Sequence, residues 1–196
     1  MTKFRLSTFA SALCGIIFMF AISLALAMPA FAQMQMPGDA KAAKKPPLSP
    51  PAKAETAING KMITVNYSQP SIRGRKIMGA LVPYNKVWRT GANSATSFTT
   101  EADLDIGGKK IPKGAYTLYT WPSEQTWKLI INKQTGQWGT EYDQGQDFER
   151  VDLNKSALKK PVQTFTISFA PVKNGATEMI LEWENTRLAV PIKEAK

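Results

Sequence analysis

The sequence predicts an all-β chain: a single antiparallel β-sandwich over residues 57–196, set behind an export leader and a linker. Three observations carry that expectation. Apolar and polar residues alternate with period two in stretch after stretch from Ile63 to Ile192. Glycine, proline and asparagine punctuate those stretches at turn spacing. The 140 residues suffice for one ordinary hydrophobic core and not two.

The first residues read as a leader. "MTKFRLSTFASALCGIIFMFAISLALAMPAFAQ" begins with Lys3 and Arg5, continues through an uncharged apolar run and reaches Ala30-Phe31-Ala32. A basic start, an apolar middle and an A-x-A end describe a secretory signal peptide at 1–32, with export to the periplasm or beyond. The apolar run approaches membrane-spanning length, so an uncleaved anchor is the alternative and the one expected membrane contact. Cys14, the only cysteine, lies inside the leader and is preceded by Leu13, which does not suit lipid attachment.

Residues 33–56, "QMQMPGDAKAAKKPPLSPPAKAET", hold Pro37, Pro46, Pro47, Pro50 and Pro51 among four lysines. So little apolar surface cannot offset chain entropy, and the segment reads as an extended, disordered linker.

The strands follow in order. Ile63, Val65 and Tyr67 alternate with Thr64, Asn66 and Ser68. The longest run is "TSFTTEADLDI" (96–106), with Phe98, Ala102, Leu104 and Ile106 on one face and acids on the other, as one half-buried strand would have. Gly107-Gly108 offers a two-residue hairpin turn into "KKI". "GAYTLYTW" (114–121) is apolar on both faces. "WKLIIN" aligns Trp127, Leu129 and Ile131. "QTFTISFA", "EMILEW" and "RLAVPI" each align three large apolar residues. "DLNKSALKK" (152–160) is the one candidate helical turn.

Composition excludes much chemistry. The chain has no histidine, and without its leader no cysteine. Ser-His-Asp and Cys-His nucleophile systems are therefore absent, as are zinc sites built on those ligands and disulfide exchange. No glycine-rich dinucleotide or phosphate loop is present. No cofactor and no metal site is expected. The net charge of +10 favours polyanions, and also simple solubility. Export makes nucleic acid an unsuitable partner.

Three loops carry the candidate site. "SQPSIRGRKIMG" (68–79) concentrates Arg73, Arg75 and Lys76 around Gly74. In an extended stretch Arg73 and Arg75 project to one side about 7 Å apart, a spacing that suits a carboxylate, sulfate or phosphate. "PYNKVWRTGANS" (83–94) adds Trp88, Arg89 and Asn93, and "GQWGTEY" (136–142) adds Trp138 and Tyr142. Aromatic faces beside arginine and an amide bind sugars or acids by stacking and fixed hydrogen bonds. The competing reading pairs the arginines with neighbouring carboxylates and uses the tryptophans as plugs at the end of the sandwich.

The same motifs mark a resemblance. "SQPSIRGR" followed by "VWRTGAN", with "WKLIINKQTGQWGTEYD" and "LEWENTRLAVPI" further on, resembles an uncharacterised family of exported bacterial proteins, a domain of unknown function numbered twenty-nine eleven. The resemblance covers roughly 57–193. It implies an exported β-rich domain and no particular reaction. Where that family carries a large aromatic after the loop arginines, this chain has Met78.

The expected function is non-catalytic binding of a polar or anionic ligand, such as a glycan or envelope component, through Arg73, Arg75, Trp88, Arg89, Asn93, Trp138 and Tyr142. Two alternatives stand beside it. One is a hydrolase with paired carboxylates ~5 Å apart or wider, Glu141 and Asp143 being the first suspects. The other is a structural or interaction module of the cell envelope. Oligomeric state is left open.

Overall fold

A computed structural model describes residues 47–196. The expected leader (1–32) and residues 33–46 of the expected linker lie outside the described residues. The domain is all-β and antiparallel, with nine strands: β1 (Pro51–Ile58), β2 (Lys61–Ser68), β3 (Thr96–Thr100), β4 (Leu104–Ile106), β5 (Lys109–Ile111), β6 (Gly114–Pro122), β7 (Trp127–Asn132), β8 (Asp147–Phe169) and β9 (Ala176–Glu194). Among the described residues there is no α-helix, and Gln144–Gln146 form one 3-10 turn.

The strands join in the order β1-β2-β3-β6-β7-β8-β9-β4-β5. The two leaves of the expected sandwich are thus parts of one continuous sheet, and β8 carries the chain from one to the other. Its first residues pair with β7 (Trp127↔Leu153), and its later ones pair with β9 (Asn154↔Ala189 to Phe169↔Met179). The sheet also curls back on itself. Beyond β2, the Ile72 N–H donates to Gln163 O and the Phe165 N–H to Pro70 O, both at 2.9 Å. Tyr67 of β2 closes the same seam, its hydroxyl accepting from the Ile167 N–H at 2.9 Å.

The alternating residues face inward as their period demands. Ile63, Val65, Phe98, Leu104, Leu129, Ile131, Met179 and Val190 are all fully buried in one core. The Gly107-Gly108 turn forms between β4 and β5, with both φ angles positive (56° and 86°).

Four boundaries differ from those expected, each for a physical reason. The linker does not extend to residue 56. Residues 51–58 form β1, paired in unbroken register with β2 from Pro51↔Ser68 to Ile58↔Lys61. Backbone pairing and the inward Ala54 and Ile58 compensate for poor strand composition. Asn59-Gly60, at φ 49° and 78°, is the hairpin turn that joins them.

The run 96–106 is two strands, not one. β3 lies between β2 and β6, whereas β4 lies between β5 and β9. The chain turns the corner at Thr100, whose hydroxyl donates to Ala102 O at 2.8 Å and accepts from the Ala102 N–H at 3.2 Å. Alternation survives that corner because inside and outside do not exchange there.

"DLNKSALKK" is strand, within the 23 residues of β8. "EMILEW" and "RLAVPI" are one strand, β9, bent at Glu184, where φ is 53°. The pairing shifts register at this bend, at Ala157/Val162 and Val162/Thr166. Such bulges let long strands curve around a core.

Candidate functional site

The loops after β2, before β3 and after β7 meet at one end of the sheet around a cleft of about 670 Å³. Five of the seven expected residues line it: Arg75, Trp88, Arg89, Asn93 and Tyr142. Arg73 and Trp138 do not. The sequence reasoning missed Trp183 and Tyr119 in the floor, and Leu48 and Ser49 at the rim.

The basic loop is not extended. Arg73 sits in the left-handed region (φ 49°), and the Arg75 N–H donates back to Ile72 O at 3.0 Å. This tight turn sends the two side chains apart, which corrects the expected two-arginine fork. The Arg73 guanidinium donates to Leu48 O and ties down the chain entering β1. The Arg75 guanidinium donates to Ser71 O at 2.7 Å and Ile72 O at 3.1 Å, leaving donors over for the cleft it lines. Ile77 and Val82 anchor the rest of this loop in the core.

Arg89 comes from "VWRTGAN", a segment held in unusual backbone geometry. Thr90, fully buried, has φ 53°, and Asn93 has φ 61°. A β-branched residue in that region is strained. Its neighbours hold it there: Thr96 Oγ1 donates to Thr90 O at 2.8 Å, and Thr90 Oγ1 reaches Thr120 Oγ1 at 3.3 Å. Gly91 is required by close approach, since a Cβ there would lie 3.1 Å from Ser68 O.

The half-buried Arg89 has no hydrogen-bond or carboxylate partner among the described residues, and neither Arg73 nor Arg75 makes an ion pair among them. The arginines that pair with carboxylates among the described residues are strand residues instead: Arg150 with Asp147 on β8, and Arg187 with Glu178 and Glu182 on β9.

Trp88 is only 8% exposed and belongs to the core as much as to the cleft. It stacks on Trp183 at 5.8 Å and 21°, and meets Phe165 edge-on at 5.0 Å. Trp138, in contrast, is 50% exposed on the outer side of its loop. Asn93 spends its amide N–H groups on Ser49 O (3.3 Å) and Ser68 Oγ (3.4 Å).

The acids of the third loop are turn caps. Glu141 Oε2 accepts from the Trp138 N–H at 3.4 Å, and Asp143 Oδ1 from the Gly145 N–H at 2.8 Å. Neither lines the cleft.

Beneath the cleft, Asp147 gathers three partners. Its Oδ2 accepts from the Tyr142 hydroxyl at 2.7 Å and from Arg150 Nη2 at 2.7 Å, and its Oδ1 from Asn132 Nδ2 at 2.9 Å. Burial, then Asp147, push the Tyr142 phenol up to about 12. The protonated phenol is therefore favoured by folding. That stability is present below pH ~10, where a free tyrosine titrates, and is lost as pH rises through 12. Tyr142→Phe is expected to be less stable than wild type at pH 9, with the gap narrowing at pH 11. Urea unfolding at the two pH values checks this, and an unchanged gap would show that folding does not hold the phenol protonated.

A family model described as "Protein of unknown function (DUF2911)" matches residues 49–192. That span begins just ahead of β1, in agreement with the fold boundary. No curated protein and no solved structure matches the chain.

Proposed function

Because the chain belongs to the DUF2911 family, whose description carries no reaction, we propose from the site itself that this domain binds a polar or anionic small ligand in the loop-end cleft. The protein acts in the exported space its leader implies, on a component of that space such as an acidic glycan or envelope constituent. The observation that carries this reading is the state of the arginines. Arg75 and Arg89 reach one cleft, and neither has a carboxylate against it among the described residues. A guanidinium held on a pre-formed wall costs less to immobilise around an anion than one on a free loop. Charge-assisted hydrogen bonds to an incoming anion are roughly twice as strong as neutral ones. The exposed Leu48 and Leu81 and the half-buried Tyr142 supply the contact area.

The test is thermal unfolding of the processed chain, recovered from cells expressing residues 1–196, with sulfate, phosphate, glucuronate and glucose. An anion at one hundred times its dissociation constant stabilises the native state by about 2.7 kcal/mol, a shift of several degrees. We expect such a shift with at least one anion, weakened by added salt and abolished in Arg75→Ala/Arg89→Ala. No shift with any anion, or a shift that survives in the double variant, overturns the reading.

A further inference from the structure

The lining of the cleft is divided in a way that narrows the ligand further. About half of its surface is apolar, from Leu48, Pro70, Leu81, Val87, Trp88 and Trp183. Its free polar groups are mainly donors, the guanidiniums of Arg75 and Arg89. No aspartate or glutamate is in the lining.

The lining hydroxyls of the two tyrosines are already engaged. Tyr119 Oη lies 3.2 Å from Glu141 O, to which it donates, and accepts from Gln137 Nε2 at 3.0 Å. Tyr142 Oη donates to Asp147 and accepts from Arg150 Nη2 at 2.9 Å. The Asn93 N–H groups are spent on Ser49 and Ser68, while Asn93 Oδ1 and the hydroxyls of Ser49 and Thr140 have no partner among the described residues. A sugar presents many hydroxyls, each a donor as well as an acceptor, and needs acceptors on the protein to match. This wall offers few. An inorganic anion satisfies the arginines but leaves most of a 670 Å³ cleft, and its apolar half, without contact.

Resting on the reading of the cleft as an anion site, we propose that its ligand is a small organic carboxylate with an aromatic or aliphatic body. The carboxylate meets Arg75 and Arg89, and the body lies against Leu48, Leu81 and the exposed edge of Trp88. Of the carboxylates close to the cleft, Asp147 is already charge-paired to Arg150, and Glu141 accepts from the Trp138 N–H outside the lining.

The experiment is a titration of the processed, 15N-labelled chain with phenylacetate, hexanoate, phenylacetamide, sulfate and glucuronate, followed through the tryptophan indole N–H signals. Phenylacetate or hexanoate is expected to move the Trp88 and Trp183 signals and leave that of Trp138, which lies outside the lining. Phenylacetamide, which keeps the body and loses the charge, is expected to bind about tenfold or more weakly. Sulfate and glucuronate are expected to do the same for lack of an apolar body.

If sulfate or glucuronate binds as well as the organic acids, the carboxylate proposal fails while the anion site stands. If phenylacetamide matches phenylacetate, the arginines do not select the ligand and both fall. If none of the five moves the Trp88 and Trp183 signals, both fall as well.

Discussion

Replacing Trp183 with alanine is expected to cost the fold about 3–5 kcal/mol, the usual loss for a buried aromatic cut back to a methyl group. Trp183 is among the largest fully buried side chains. It stacks on Trp88 and packs against Phe165 at 5.8 Å and 61°. Phe165 in turn meets Tyr67 edge-on at 5.9 Å. The four rings come from β9, the "VWRTGAN" loop, β8 and β2, so the cluster joins the two leaves where the sheet curls back. Domains of ordinary stability hold only about 5–15 kcal/mol in total, so this one change removes a large share. Urea unfolding of Trp183→Ala, Trp88→Ala and the double variant measures it. Coupling of about 0.5–3 kcal/mol between the two positions is expected because they stack. A loss under about 1 kcal/mol at Trp183 would show that the leaves are held together elsewhere.

The strand class of this chain was legible because its alternation is a burial pattern, and burial is what period two reports. The same fact explains the errors. Phe98, Ala102, Leu104 and Ile106 keep one phase across a corner, so periodicity saw one strand where the chain changes neighbours. "DLNKSALKK" has helix-forming residues, but β8 is held by pairing to β9 (Asn154↔Ala189 to Ala157↔Thr186). Tertiary context overrode propensity there. β1 was hidden by Pro51, Lys53, Glu55 and three alanines. Asn59-Gly60 was the signal that could have revealed it, since an Asn-Gly turn ahead of an alternating run asks for a strand on its other side.

The site was legible as composition and illegible as direction. Arginines, aromatics and an amide gathered in loops pointed to the end of the molecule where the cleft lies. Which of them face the cleft depends on backbone turns that residue types do not announce. Arg73 turns away because its own φ is positive, and Trp138 faces solvent. Leu48 is the largest apolar side chain between Pro46 and Thr56, and that isolation was the one hint that the end of the linker joins the site.

Gly139→Ala is expected to damage the fold and the cleft together, although Gly139 has no positive φ. A Cβ at this position would lie 2.7 Å from Asn93 O and 2.6 Å from Arg89 Cδ. The first contact is backbone, and it is the atom that accepts the Gly139 N–H at 3.0 Å. The loops are zipped at this point by the Ser94↔Trp138 bridge and by the Ala95 N–H donating to Gln137 O at 3.2 Å. Alanine must push them apart or swing Arg89 off the wall. Overpacking of this kind costs about 1–3 kcal/mol. The strained backbone at Thr90, itself a cost of about 1–3 kcal/mol, persists only while its surroundings hold it, so a loosened zipper lets Arg89 leave its place. Gly136→Ala is the control. It meets nothing within 4 Å and carries only the strain of φ 81°. Both variants are therefore expected to lose stability in urea. Only Gly139→Ala is expected to lose hydrogen-exchange protection at the Ala95 amide and the anion-dependent thermal shift. Retention of both in Gly139→Ala would show that Arg89 is positioned without this contact.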